Sequence, residues 1–117
     1  MKHIYYLSSC DTCKRILNEL SPLEGFNLQD IKTQPITTTQ LEEMGKLAGS
    51  YEALFSRRAR LYKERNLSEA QLSEADYKAL ILEHYTFLKR PVIQLNDSLF
   101  IGNSKKVIAQ AKEAIHS

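Results

Sequence analysis

The sequence predicts an α/β fold: a four-stranded mixed sheet built from a βαβ half and a ββα half, with an all-helical stretch between them. Three observations carry this. Within its first thirty or so residues the chain passes from a β-branched and aromatic run to a helical apolar stripe and back to alternation. From about residue 37 to 88 only helix-period patterns recur. Near residue 90 the pattern reverts to two short β-rich runs closed by one last helical stripe.

The elements follow in order. Ile4, Tyr5, Tyr6 and Leu7 suit a buried strand. Ser8 and Ser9 break it, and Ile16, Leu17 and Leu20 then mark one face of a helix. Ser21-Pro22-Leu23-Glu24-Gly25 is turn chemistry. Phe26, Leu28 and Ile31 alternate with Asn27, Gln29 and Asp30, which predicts a second strand with its apolar face buried. A βαβ unit this short requires parallel strands and a right-handed crossover.

Pro35 lies in a connector, and Thr37, Thr38 and Thr39 are candidate N-caps; Thr39 with Glu42 has the capping-box spacing. Leu41, Met44, Leu47 and Ala48 predict a helix ending near Gly49. A short helical piece is expected over 51–55 and a helix over 56–66 with Leu61 and Tyr62 inward. Ser68-Glu-Ala-Gln and Ser73-Glu-Ala-Asp read as two further helix starts, and Tyr77, Leu80, Ile81, Tyr85 and Leu88 as a long stripe. After Pro91, Val92 to Leu95 and Ser98 to Ile101 are strands joined by Asn96-Asp97, residues that tolerate positive φ. Gly102-Asn103-Ser104 caps a last helix that buries Val107, Ile108, Ala111 and Ile115. This order is that of a thioredoxin-like fold. One domain over 1–117 is expected, with its core in 1–31 and 89–117 and a helical insertion over about 37–88.

Composition limits the function classes. The 117 residues suit one domain, and 43% hydrophobic content suffices for a core. A net charge of +2 gives no case for nucleic-acid binding. No apolar run approaches the ~20 residues of a membrane span. The chain opens on a strand rather than a charged-then-apolar leader, so a cytoplasmic location is expected. There a cysteine pair is normally reduced.

The two cysteines, Cys10 and Cys13, stand at the first strand-to-helix junction. Cys10 falls near the helix N-cap and Cys13 in the first turn, where unpaired N–H groups and the macrodipole favour an anion. A thiolate is such an anion. Lys14 and Arg15 favour it, and Asp11 opposes it. Two buried structural cysteines are the plain alternative. Half of a zinc site is a third, disfavoured because zinc takes about four ligands and no second pair is present. A C-x-x-C beside a βα unit points first to redox or nucleophilic chemistry, with Cys10 attacking and Cys13 resolving. Ser9, Asp11, Thr12 and Lys14 complete the loop, and Ser8 and Ser9 are candidate donors to the Cys10 sulfur. His3 lies on the first strand and reads as structural, as do His84 and His116. The run Arg57, Arg58, Arg60, Lys63 and Arg65 reads first as a solvated face, with oxyanion binding by Arg58 the alternative.

Three segments, in this order, resemble the glutaredoxin-like arsenate reductase (ArsC) family, which includes the Spx-type regulators. They are the Cys10 loop after the first strand, Phe55-Ser56-Arg57-Arg58-Ala59-Arg60-Leu61-Tyr62, and Phe87-Leu88-Lys89-Arg90-Pro91-Val92-Ile93. The resemblance spans essentially the whole chain. It implies a thiol-dependent oxidoreductase that binds no cofactor. Cys10 would attack an arsenate-like oxyanion or a disulfide, and resolution would come from Cys13 or an external thiol such as glutathione. Glutathione with glutaredoxin, or thioredoxin, would be the reductant. Of the family's three oxyanion-binding arginines, the first two match Arg58 and Arg90. The third position falls in Phe100-Ile101-Gly102-Asn103, which holds no arginine. A guanidinium can grip an oxyanion bidentately. The fold resemblance also implies a cis Arg90–Pro91 bond facing the Cys10 loop. The Spx-type alternative is a redox-sensing transcriptional regulator that binds RNA polymerase, with Cys10 and Cys13 as its switch.

Overall fold

A computed structural model describes all 117 residues. The chain forms two compact units, Met1–Gln34 with Arg90–Ser117, and Pro35–Lys89.

The first unit holds strands β1 (Lys2–Tyr6), β2 (Asn27–Asp30), β3 (Val92–Leu95) and β4 (Ser98–Ile101), and helices α1 (Asp11–Leu20) and α5 (Lys105–Ile115). The strand order is β2-β1-β3-β4. β1 pairs with β2 in parallel, Ile4 beside Leu28 and Tyr6 beside Asp30. β3 is antiparallel to both β1 and β4. This is the mixed sheet of a thioredoxin-like fold. The β3–β4 turn carries Asn96 at φ 56°. Ile4 and Ile93 pair across β1 and β3, and Ile16 and Leu20 of α1 and Ile108 and Ala111 of α5 pack with them into one core. At the chain end, the Nε2–H of His116 donates to the Leu20 carbonyl at 2.7 Å.

β2 departs from expectation. Leu28 is 47% exposed and Gln29 is buried. The cause is position: β2 is an edge strand, so an apolar side chain there is not covered as it would be at the sheet centre. On the other face the Gln29 carbonyl accepts from His3 Nε2 at 2.8 Å, and its amide donates to the Gln34 carbonyl at 2.9 Å, which satisfies a buried amide.

The second unit holds α2 (Thr38–Ala48), α3 (Arg60–Glu64) and α4 (Glu74–Glu83), with short 3₁₀ turns. α2 is capped by Thr37 and Gln40 acting reciprocally, not by Thr39 and Glu42; both candidates fit the spacing, and the helix begins two residues earlier. It ends at Gly49 in the left-handed region, φ 90°. The helix expected over 56–66 is only Arg60–Glu64, because Phe55 bridges Leu88 and the Ser56 N–H donates to the Phe87 carbonyl at 2.7 Å. Those bonds hold the stretch before Ala59 out of the helix. Phe55 stacks on Phe87 at 5.4 Å and lies 4.9 Å from Tyr77 between ring centroids. Ser73 and Asp76 form the capping box expected at α4, whereas Ser68 sits within a 3₁₀ turn and starts no α-helix. The stripe through Leu88 is interrupted at His84, whose φ −148° and ψ 133° end α4.

Candidate active site

Cys10 is the N-cap residue of α1 and Cys13 lies in its first turn. The turn that delivers them is closed by the Cys10 N–H, which donates to the Leu7 carbonyl at 3.0 Å. The Cys10 carbonyl then accepts the Lys14 N–H at 3.2 Å and starts the helix. Both cysteines are unbridged; Cys10 is half-buried and Cys13 fully buried.

The two thiols are polarised in opposite directions. Partial burial opposes ionisation of Cys10, but it is outweighed by the Cys13 N–H and thiol, the Arg90 guanidinium and the Thr12 N–H, so its pKa falls below the usual 9.0. The Cys10 side chain makes no capping hydrogen bond. The attraction arises once the sulfur is charged, from donors at the helix N-terminus. Cys13 moves the other way, to about 11, chiefly through burial; the Leu7 N–H opposes the rise and the neighbouring Cys10 charge adds to it. The two sulfurs therefore differ in acidity: Cys10 ionises more readily than an ordinary thiol and Cys13 less readily.

Arg90 is half-buried and opens the segment into β3. The Arg90–Pro91 peptide is cis, as the fold resemblance implied; Ser21–Pro22 is also cis, where only turn chemistry was foreseen. The buried Pro91 accepts the Gly102 N–H on its carbonyl at 2.9 Å, which fixes the start of β3 against the end of β4. Within the loop, Ser9, Asp11 and Lys14 are exposed and Thr12 is half-buried.

Arg58 belongs to the second unit, in the exposed turn ahead of α3. Its neighbours are engaged. Arg57 reaches Glu52 at 2.7 Å and the Tyr77 hydroxyl at 3.0 Å, and Arg65 grips both oxygens of Glu83 at 2.9 Å. Arg58 joins no such ion pair.

Ser8 does not serve Cys10. Its hydroxyl donates to Asp30 Oδ2 at 2.5 Å and its N–H to Asp30 Oδ1 at 3.2 Å. His3 is taken up by Gln29. Asp30 was read only as the polar position of an alternating strand. The signal that finds it is the parallel pairing, which brings the end of β2 beside the end of β1, where the cysteine loop begins.

Residues 5–111 match the model of the ArsC family. The chain belongs to the ArsC family. Global transcriptional regulator Spx 2 of Lactococcus lactis subsp. lactis is 27% identical over 107 residues, covering 90% of this chain and 81% of that protein. The arsenate reductase from Vibrio cholerae superposes with a TM-score of 0.73 at 25% identity, over 96% of this chain and 95% of that one. An arsenate reductase (ArsC) related protein from Brucella melitensis gives 0.68 at 24% identity, over 96% and 92%. The chain thus has the thiol-oxidoreductase fold of the ArsC family. No helix is long and apolar enough to cross a membrane.

Proposed function

We propose that this ArsC-family chain is a thiol-dependent reductase whose nucleophile is Cys10, acting on an arsenate-like oxyanion or a disulfide. The observation that carries the reading is the placement of two unbridged cysteines at the start of α1, with Cys10 half-buried at the N-cap and Cys13 fully buried in the first turn. Reduction of arsenate takes two electrons: two thiols become one disulfide, arsenic passes from the +5 to the +3 state, and one oxygen leaves as water. Cys10 supplies the first sulfur, and Cys13 or an external thiol such as glutathione the second. Arg90 favours the thiolate and is assigned to the oxyanion, since guanidinium groups recognise such anions bidentately. Glutathione with glutaredoxin, or thioredoxin, then returns the site to its reduced state. Two thiols that must start reduced suit the cytoplasm.

The test is arsenate-dependent NADPH oxidation, run separately with the two coupling systems and with Cys10→Ser as control. Turnover that vanishes in the control supports the reading and identifies the electron donor. No turnover with either system removes arsenate as substrate. A second reading is supported by the likeness to Spx 2: a redox-sensing regulator that binds RNA polymerase, with Cys10 and Cys13 as its switch. Binding to the polymerase α-subunit that changes on oxidation would favour it, and absence of binding in both redox states would exclude it.

A further inference from the structure

Asp30 ends β2 and stands beside Tyr6, the last residue of β1. The Ile31 N–H donates to the Tyr6 carbonyl at 2.9 Å and so extends the pairing past the strand end. Asp30 is itself held: the Lys32 N–H donates to Oδ1 at 3.2 Å, and the Gln34 N–H donates to its carbonyl at 2.8 Å. From this anchored position the carboxylate takes both the hydroxyl and the N–H of Ser8. Ser8 lies inside the turn that the Cys10 N–H closes on Leu7. The charge of Asp30 is not among the principal influences on the Cys10 sulfur.

We propose that Asp30 is a positioning residue for Cys10: by clamping both polar groups of Ser8 it fixes the 7–10 turn, and so holds the Cys10 sulfur against the N–H groups of the first turn of α1. The inference rests on the reading of Cys10 as a thiolate nucleophile and needs no substrate. Charge-assisted hydrogen bonds are the strong kind, and two of them on one residue fix both its backbone and its side chain. Ser8 reciprocates by holding the Asp30 carboxyl below the usual carboxylate range.

Direction separates positioning from charge. Removing a carboxylate near a thiol by itself favours the thiolate and lowers its titration midpoint. Loss of a positioning clamp has the opposite effect. The experiment follows alkylation of Cys10 by iodoacetamide against pH, with the modified cysteine identified by mass spectrometry and folding checked by circular dichroism. Asp30→Ala is expected to raise the midpoint by about one pH unit, which slows alkylation about tenfold below both midpoints. Asp30→Asn is expected to restore most of it, because the amide offers an acceptor to the Ser8 N–H and a donor to its hydroxyl. Ser8→Ala, which keeps the backbone bond, should fall between wild type and Asp30→Ala; it decides the matter if Asp30→Ala does not fold. An unchanged or lowered midpoint in the folded variants overturns the inference. A wild-type midpoint at the ordinary thiol value overturns the thiolate reading with it, whereas wild-type failure on arsenate alone touches only the proposed reaction.

Discussion

Alkylation of the wild-type chain at pH 7 tests the division of labour between the two cysteines. With Cys13 at about 11, roughly 10⁻⁴ of it is ionised at pH 7. An ordinary thiol at 9.0 would be roughly 10⁻² ionised, and Cys10 lies below that value, so its thiolate is more abundant than Cys13's by a factor above ~100. Intrinsic nucleophilicity falls as pKa falls, with a Brønsted slope of about 0.4–0.5, which returns about tenfold to Cys13 for a separation of two units. The net preference for Cys10 is therefore at least about tenfold before access is counted. Cys13 has no exposed surface, which widens the gap. Limited iodoacetamide treatment followed by peptide mass spectrometry reads the ratio directly. Labelling of Cys13 as fast as Cys10 would refute both the polarisation and the assignment of the nucleophile.

Arg90→Gln should raise the Cys10 midpoint by about 0.5–1 pH unit, read from thiolate absorbance, because it removes the cation that favours the charged form. Cys13, an acid whose folded value lies above its unfolded one, contributes stability that is complete below pH 9 and is lost as pH rises toward 11. The gap in unfolding free energy between wild type and Cys13→Ala should accordingly narrow across that window in urea titrations. Ile93→Ala empties the centre of the first unit's core and should cost about 2–5 kcal/mol in the same assay. Gly45→Ala should destabilise by about 1–3 kcal/mol, since a Cβ there would lie 2.5 Å from Tyr51 Cε1 and force the ring to move.

The parts of the fold legible in the sequence are those that local chemistry specifies. The strand-to-helix switch around Cys10, the Asn96 turn, the Gly49 stop and the Ser73 cap each rest on a few neighbouring residues. What was not legible depends on the partners the chain meets in space. Periodicity gave Leu28 an inward face, but only the strand order makes β2 an edge. Arg57 and Arg58 follow a helical pattern, yet the pairing of Phe55 with Leu88 keeps them out of α3. At the site, the cysteine positions followed from spacing. The role of Ser8 did not, because its partner Asp30 lies 22 residues away and reaches it only through the parallel register of β1 and β2.

The central claim is that Cys10 attacks and a second thiol resolves. Its most direct test is to mix the reduced chain and its Cys13→Ser variant with glutathione disulfide, quench with acid, and map the products by mass spectrometry. Cys10 thiolate should attack one sulfur, forming a Cys10–glutathione mixed disulfide and releasing one glutathione thiolate. In Cys13→Ser that adduct should accumulate on Cys10. In the wild type Cys13 should lose its proton, attack the Cys10 sulfur and release the second glutathione, leaving a Cys10–Cys13 disulfide. A Cys13→Ser chain that carries no glutathione on Cys10, or a wild type that carries it on Cys13 ahead of Cys10, would contradict the account.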